Sequence, residues 1–215
     1  MKQFAVIGLG RFGSSVAKTL HAAGHQVLGI DEAEERVRHN LDCCTRAVEA
    51  DATDEQALRA IGIRNFDTVI VGVGGDIQAS ILVTLMLKEL GVKHVVAKAQ
   101  SELHGRVLYK IGADRVVFPE RDMGSRVAKS LVASNILEYI ELAPDISILE
   151  FMVGHSMVGQ SLRQLDFRNK FQANIIAVKR GNDFTLALRA DEKIAEGDVL
   201  VVVGKNDDLK RLERA

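Results

Sequence analysis

Short apolar runs that are rich in valine and isoleucine alternate with amphipathic stretches along the first 118 residues. This rhythm predicts strands that are buried on both faces of a parallel sheet, each followed by a covering helix. The six predicted strands are residues 4–8, 26–31, 47–50, 68–73, 94–98 and 115–118. Helices are predicted over residues 12–23, 34–41, 77–90 and 102–111, and another is capped by Thr53 or Asp54 and ends near Gly62. The pattern therefore predicts an α/β fold with a doubly wound, Rossmann-like parallel sheet.

The rhythm changes after Pro119, which closes the sixth strand. One further helix is predicted over residues 122–133, and the second of the two prolines, Pro144, marks a predicted domain boundary. The first domain is expected to be residues 1–143 and the second residues 144–215. In the second domain, strands are predicted at residues 147–153, 175–179, 185–188 and 199–204, and helices at 160–165 and 207–214. This is the pattern of a small α+β domain of about 70 residues, which we expect to dimerise because its core is small.

Composition narrows the classes of function. The chain has 215 residues, of which 47% are hydrophobic and 27% charged, with a net charge of −1. Such a balance gives no reason to propose nucleic-acid binding, which usually needs a basic face, or a polybasic membrane anchor. The longest uncharged helical run, residues 77–87, is shorter than a membrane span requires, and Arg11 interrupts the apolar start of the chain. A cytoplasmic location is therefore expected, with the adjacent Cys43 and Cys44 as free thiols.

A G-x-G-x-x-G motif, Gly8-Leu9-Gly10-Arg11-Phe12-Gly13, joins the first strand to the first helix. Gly8 permits a tight turn, Gly10 leaves room for a phosphate, and Gly13 lets the helix pack closely on the strand. The N-terminus of the helix presents free N–H groups to an anion. Asp31, at the end of the second strand, is expected to accept hydrogen bonds from ribose hydroxyls. The motif predicts a nucleotide site, and the alternative is a glycine turn without a ligand.

Other polar residues follow the predicted strands, at the edge where ligands bind in such sheets. Arg11 is a candidate for phosphate binding or a solvated cation. Asp51 is a candidate for reading an adenine amino group or for capping a helix. Lys98 is a candidate for the terminal phosphate or a solvated charge. Three glycines are expected to keep the end of the fourth strand open to a ligand: Gly72, Gly74 and Gly75.

Four segments carry a resemblance to a known family: MKQFAVIGLGRFGSSVAKTL, IRNFDTVIVGVGGDIQASILVTLMLKELG, VVAKAQSELHGRVLYKIGADRVVFPERDMG and FRNKFQANIIAVKRG. They resemble the cytoplasmic regulatory (RCK) subunits of Ktr-type potassium uptake systems, whose domains also occur in the Trk system. The resemblance covers nearly the whole chain in order. It implies a first domain that binds ATP, ADP or NAD/NADH, and activation by ATP relative to ADP. It also implies homodimers that form an octameric ring under a dimeric potassium-translocating membrane subunit, at the inner face of the membrane.

The resemblance also implies roles for particular positions. The residues expected around the phosphates are Gly8, Gly10, Arg11, Phe12 and Gly13. Asp31 is expected to hold the ribose, Arg36 to flank the base, and Asp51 with Ala52 to contact the adenine. Lys98 and Arg11 of the partner subunit are expected to sense the γ-phosphate.

Glu120, within Pro119-Glu120-Arg121-Asp122-Met123-Gly124, matches the cation-binding glutamate of this family. Two such carboxylates that meet across a dimer suit Mg²⁺ or Ca²⁺. The alternative is that Glu120 compensates the dipole at a helix start. Asp76 departs from the family pattern, where Asn is frequent. Its added charge either weakens the binding of a triphosphate or caps the following helix.

In the second domain, Arg168, Asn174 and Ile175 match positions that bind cyclic di-AMP in related proteins. The alternative is a basic loop beside an ordinary strand in a dimer interface.

Two other classes of function compete with this interpretation. The first is an NAD-dependent oxidoreductase, but the second domain offers only His155, beside Ser156, as a usual general base. No His and Cys spacing fits zinc, and no P-loop lysine is present for phosphoryl transfer. The chain is therefore expected not to be an enzyme. The second alternative is an NAD(H)-binding, Trk-like sensor attached to another cation transporter.

Overall fold

The computed structural model describes residues 1–132 and 135–212, with the backbone alone at positions 129, 130 and 132. The chain divides into two compact units, Met1–Asp122 and Met123–Ala215. Within the described residues, no helix is long and apolar enough to cross a membrane.

The first unit contains a six-stranded sheet in which all neighbouring strands are parallel. In spatial order the strands are β3 (Arg46–Glu49), β2 (Gln26–Asp31), β1 (Gln3–Ile7), β4 (Thr68–Val71), β5 (Val95–Lys98) and β6 (Arg115–Val117). The helices are α1 (Arg11–Ala22), α2 (Glu34–His39), α3 (Glu55–Ile61), α4 (Ile77–Glu89), α5 (Glu102–Lys110) and α6 (Pro119–Val132). The predicted doubly wound α/β sheet is confirmed.

The strands could be predicted from the sequence because they are buried on both faces and are therefore apolar throughout. Residues Ala5, Val6 and Ile7 in β1 are at most 2% exposed, because helices cover both faces of the sheet. Two apolar clusters result, one on each side of the sheet. The predicted first and fourth strands extended one and two residues too far. Each strand ends where the chain turns at glycine, and Gly8 has a φ of +87°.

The strand order places β1 between β2 and β4: the chain runs from β1 through β2 to β3 on one side, and then crosses back to β4 on the other side of β1. Loops that leave β1 and β4 therefore separate, and a crevice opens at the carboxyl ends of the strands. This crevice is the feature of the first unit that positions a candidate site.

The second unit is built on an antiparallel sheet. In spatial order its strands are β10 (Asp183–Thr185), β9 (Asn174–Arg180), β11 (Val199–Lys205), β8 (Ile146–Met152) and β7 (Ile136–Ala143). Its short helices are α7 (Leu162–Leu165), α8 (Phe167–Phe171) and α9 (Asn206–Leu209). They pack with the sheet around a core that includes Leu149, Phe151 and Leu200. The predicted α+β character of this part of the chain is confirmed.

Several predicted bounds in the second unit are wrong. The strand predicted at residues 185–188 is instead β10, which ends at Thr185. The chain then turns, because the Leu188 N–H donates to the carbonyl of Leu186 at 3.1 Å. The helix predicted from residue 160 begins at Leu162, after the capping box of Ser161. The helix predicted at 207–214 ends at Leu209, and its last two predicted residues lie outside the described residues, as does position 133 of the helix predicted before Pro144.

The structure divides the chain earlier than the boundary predicted at Pro144. Strand β7 pairs with β8 through a hairpin, so its hydrogen bonds belong to the second sheet. The division lies between Asp122 and Met123, within helix α6.

Candidate functional site

A cavity of about 610 Å³ lies at the carboxyl ends of the strands in the first unit. This volume is in the range of sites for small molecules and cofactors. Of the residues predicted for the nucleotide site, all except Gly13 line the cavity: Gly8, Gly10, Arg11, Phe12, Asp31, Arg36, Asp51, Ala52, Gly74, Lys98 and Glu120. The structure thus brings together residues that are up to 112 positions apart in the sequence (120 − 8).

The three glycines of the motif have three different environments. A Cβ atom on Gly8 would lie 2.9 Å from the backbone nitrogen of Val73, and its φ of +87° already disfavours other residues. A Cβ on Gly13 would lie 1.9 Å from the carbonyl oxygen of Gly8, which is impossible without moving the helix. A Cβ on Gly10 would meet no atom within 4 Å, so open space remains beside the backbone that faces the cavity. Gly13 therefore serves helix packing, as its sequence position predicts, and does not line the cavity.

Helix α1 begins at this loop with its first N–H groups uncompensated. Its N-cap is Gly10, which has no side chain to accept a hydrogen bond, and its first turn contains no acidic residue. Within the described residues, Arg11 forms no ion pair, and it lines the cavity. A positive helix end and a free guanidinium next to one cavity form a favourable environment for phosphate groups.

Asp31 has a second role that the sequence analysis missed. Its side chain is only 2% exposed, and its two oxygens accept hydrogen bonds from the N–H of Leu9 at 2.7 Å and of Ala33 at 3.0 Å. The Arg36 guanidinium lies 3.5 Å away. Asp31 therefore fixes the glycine loop to the end of β2, while each carboxylate oxygen keeps capacity for another donor. The parallel pairing of β1 and β2 brings these residues together, which the motif alone does not reveal.

Asp51 is held in a tight local turn next to the predicted adenine end of the cavity. It accepts hydrogen bonds from the hydroxyl of Thr53 at 2.6 Å and from the Thr53 N–H at 2.8 Å, and these lower the pKa of Asp51. The cap of α3 is a different residue, Asp54, which accepts from the Gln56 N–H at 2.8 Å. The alternative role of Asp51 as the side-chain cap of α3 is therefore excluded, and its carboxylate stays ionised at the cavity wall.

Lys98 and Glu120, which the sequence analysis considered separately, form an ion pair at the cavity wall. The Lys98 ammonium is 2.5 Å from a Glu120 carboxylate oxygen and 5.9 Å from the centre of the Phe12 ring. The Lys98 side chain is 12% exposed, whereas that of Glu120 is 66% exposed. The hydrogen bond from Lys98 holds the pKa of Glu120 below its usual value, and the charge of Arg11 acts in the same direction. The Lys98 ammonium is therefore a largely buried cation at the cavity wall, and the Glu120 carboxylate that pairs with it is exposed to solvent.

In the part of the chain that the structure describes, no group of three or more His, Cys, Asp or Glu side chains could hold a metal ion. A cation on Glu120 would therefore need further ligands from phosphate oxygens, water or another subunit. The Mg²⁺ or Ca²⁺ site stays a prediction.

The residues predicted for a second ligand lie close together in the second unit. The Arg168 guanidinium, on α8, donates to the side-chain oxygen of Asn174 at 3.1 Å. Ile175 follows in β9 and packs against the second core. Arg168 and Asn174 are both exposed.

Some residues of the cavity wall were not predicted. They include Glu32, Thr53 and Val73. Each directly follows a strand or a predicted site residue, so the rule that ligands bind at the carboxyl edge of the sheet was the available signal.

Comparison with known proteins agrees with this architecture. Residues 4–119 match the TrkA-N domain, and residues 147–215 match the TrkA-C domain. The chain is therefore a two-domain protein of the TrkA class, with a TrkA-N domain that contains the glycine-loop cavity and a TrkA-C domain after it.

Full-length relatives define the family within that class. The chain is 46% identical over 213 residues to Ktr system potassium uptake protein C of Bacillus subtilis (strain 168), covering 99% of this chain and 96% of that protein. It is 47% identical over 212 residues to Ktr system potassium uptake protein A of the same organism, with the same coverage. A third relative, Ktr system potassium uptake protein A of Vibrio alginolyticus, is 40% identical over 97% of this chain and 94% of its own length. The chain belongs to the family of Ktr system potassium uptake proteins, as its resemblance indicated.

Solved structures show the same fold. The crystal structure of the GsuK RCK domain has a TM-score of 0.56 and 24% identity, covering 99% of this chain and 46% of that chain. The present chain thus spans about half of that longer protein. The crystal structure of GsuK bound to ADP has a TM-score of 0.52 and 31% identity, covering 60% of this chain and 33% of that chain.

Proposed function

We propose that this chain is a cytoplasmic nucleotide-sensing regulatory subunit of a membrane potassium transporter. ATP and ADP compete for the glycine-loop cavity, and bound nucleotide is a signal rather than a substrate. The observation that carries the proposal is the cavity itself, with the open N-terminus of α1 on one side and the Lys98–Glu120 pair on the wall. Membership of the Ktr family supplies the link to potassium uptake.

The chemistry of the wall favours a phosphate chain. The N–H groups of α1 and the guanidinium of Arg11 would bind the phosphates that ATP and ADP share. Asp31 and Asp51, which both line the cavity, are suited to accept hydrogen bonds from ribose hydroxyls and from an adenine amino group, respectively. The related GsuK protein was crystallised with ADP, which supports an adenine nucleotide as the ligand.

A third phosphate would change the contacts of Lys98. In the structure, its ammonium is paired with a Glu120 carboxylate oxygen at 2.5 Å. The γ-phosphate of ATP would compete with Glu120 for this ammonium, or would share Glu120 with Mg²⁺ or Ca²⁺, whereas ADP is one phosphate shorter. Since a ligand shifts a conformational equilibrium only through differential contacts, this pair is the element that we propose distinguishes the two nucleotides.

The proposed partners follow from the family. We expect homodimers that assemble into an octameric ring at the inner face of the membrane, under a dimeric potassium-translocating subunit. Arg11 of the partner subunit would complete the γ-phosphate site. For the second unit, the proposed ligand is cyclic di-AMP, bound through Arg168, Asn174 and Ile175, which lie close together.

The test is potassium flux into vesicles that contain the membrane subunit and the full chain, measured with ATP and with ADP. We expect faster flux with ATP. We also expect Arg11→Ala to remove the difference, because it removes the cation that, as Arg11 of the partner subunit, would meet the γ-phosphate. Lys18→Ala is the matched control, since Lys18 is an exposed cation on the same helix. Equal flux with the two nucleotides in the unmodified protein would contradict the proposed signal.

A further inference from the structure

The first turn of helix α6 is held by a second residue besides Glu120. Arg121 directly follows Glu120, and its guanidinium lies 4.0 Å from the centre of the Phe118 ring. The same guanidinium forms ion pairs with Glu102, at the start of α5, and with Asp122 at 2.8 Å. Arg121 is therefore held by a stacked ring and two carboxylates.

Phe118 is itself fixed against helix α5. A Cβ atom on Gly105 would lie only 2.4 Å from the Cζ atom of Phe118, so the ring occupies the space that a side chain on α5 would fill. Arg121 stacks on this ring and also pairs with Glu102 of α5. The start of α6 is thus tied to α5 by two contacts of different kinds.

Adjacent residues on a helix do not share a face. Glu120 contacts Lys98, at the end of β5, whereas Arg121 contacts Glu102 on α5. Two neighbouring side chains therefore hold the first turn of α6 to two separate elements. Because both contacts act on the same turn, loss of the Arg121 contact would let the turn rotate and would move the Glu120 carboxylate.

We propose that Arg121 is a positioning residue that, through its contacts with Glu102 and Phe118, keeps Glu120 on the ammonium of Lys98 at the cavity wall. The proposal rests on the proposed function for its consequence, which is that Arg121 sets how strongly the site distinguishes ATP from ADP. An exposed ion pair contributes little to stability by itself. Arg121 is 54% exposed, so its removal should change the position of the turn more than the stability of the unit.

The direct test uses the full chain without nucleotide and measures the reactivity of Lys98. Lysines are labelled briefly with N-hydroxysuccinimidyl acetate and quantified by mass spectrometry. In Arg121→Gln, labelling of Lys98 should rise about fivefold, because its nitrogen, on a side chain that is 12% exposed, loses the carboxylate that shields it from the reagent. Lys88 is the internal reference, since its ammonium is 2.9 Å from Asp114 in the same unit.

Matched variants distinguish a positioning role of Arg121 from a general effect of removing an exposed arginine. Arg59→Gln removes an exposed arginine that is paired with Glu55 on α3, and it should leave Lys98 unchanged. Glu102→Gln should raise labelling of Lys98 in the same direction as Arg121→Gln. In the double variant that combines Arg121→Gln with Glu102→Gln, Lys98 should be labelled no more than in Arg121→Gln alone, because Arg121 and Glu102 act through the same contact. Unchanged Lys98 labelling in Arg121→Gln, or an equal rise at Lys88, overturns the proposal.

Nucleotide titration then tests the consequence. In Arg121→Gln, the ratio of the ATP and ADP dissociation constants should shift about fivefold while the ADP constant changes less than about twofold, since only the terminal phosphate meets the displaced pair. An equal change in both constants would show a merely structural role and would overturn the proposal. If the unmodified protein fails to distinguish ATP from ADP, the proposed function fails, whereas the lysine labelling still decides whether Arg121 positions Glu120.

Discussion

Asp31 both holds the glycine loop in place and lines the cavity. Its oxygens bind the N–H of Leu9 and of Ala33, so the glycine loop keeps its shape without a ligand. A Cβ atom at Gly8 or Gly13 would collide with the backbone, whereas a Cβ at Gly10 would meet no atom within 4 Å. At the residue scale, Gly10 is therefore the position where function and stability can be separated.

The ion pair between Arg180 and the buried Asp198 in the second unit predicts how stability depends on pH. The Asp198 side chain is 1% exposed and accepts hydrogen bonds from Arg180 at 2.8 and 2.7 Å and from the Ala195 N–H at 2.8 Å. The contact with Arg180 is the main cause that lowers the pKa of Asp198. A lowered folded-state pKa adds stability above the unfolded pKa of about 3.9, and this stability is lost as the pH falls through the folded pKa.

We predict that Asp198→Asn destabilises the second unit by about 2–3 kcal/mol at pH 7 in urea unfolding, because a buried charged partner is lost. The difference from the unmodified protein should shrink as the pH is lowered below about 4. Asp191→Asn is the control, since Asp191 is exposed beside Arg189 and should change stability little at either pH. A difference that stays constant with pH would argue against an ionised Asp198.

The helices of the first unit differ in how their N-termini are capped. Helices α3, α4 and α5 have their first N–H groups satisfied by the side chains of Asp54, Asp76 and Ser101. Helices α1 and α2 have no such cap, but the first turn of α2 contains Glu34 and Glu35, whereas that of α1 contains no acidic residue. Of helices α1 to α5, α1 therefore has neither a side-chain cap nor an acidic first turn, and it begins at the cavity that we propose for phosphates.

The cap of α4 gives a prediction at the scale of this element. Asp76 lines the cavity and accepts from the Ala79 N–H at 3.0 Å. Asp76→Asn keeps an oxygen for the cap and removes a negative charge, so stability should hold while ATP affinity, measured by titration, rises about threefold or more. Asp76→Ala should lose about 1 kcal/mol of stability.

Ser101→Ala is the control for the loss of a cap. It removes the cap of α5, whose side-chain oxygen accepts from the His104 N–H, and should cost a similar stability with ATP affinity unchanged. If Asp76→Asn left ATP affinity unchanged, the charge at position 76 would have no part in nucleotide preference.

The sequence was informative where local pattern and burial agree. Strands such as β1 and β4 are apolar throughout because both faces are covered, and caps such as Asp54 act within three residues. The second unit was harder, because β10 is short and exposed and carries no period. Contacts between distant residues, such as Lys98–Glu120 and Arg121–Glu102, depend on how β5, α5 and α6 meet, which no single-chain pattern encodes.

At the scale of the whole molecule, helix α6 connects the site with the rest of the chain. It begins next to the cavity at Pro119 and continues past the division at Asp122 into the second unit. If a nucleotide moves Glu120, as we propose, it acts on the first turn of the helix that continues into the second unit. Because of this continuity, we propose that the contact that distinguishes ATP from ADP is the Lys98–Glu120 pair, at the start of α6.

The account depends most on the claim that adenine nucleotides bind at the open backbone of Gly10. Calorimetric titration of ADP and ATP into the full chain, compared with Gly10→Val, tests it directly. Gly124→Val is the matched control, since a Cβ at either glycine meets no atom within 4 Å and Gly124 lies outside the cavity. We predict binding of both nucleotides to the unmodified protein and to Gly124→Val, and no binding to a folded Gly10→Val. Undiminished binding to Gly10→Val, or no binding to the unmodified protein, would contradict the account.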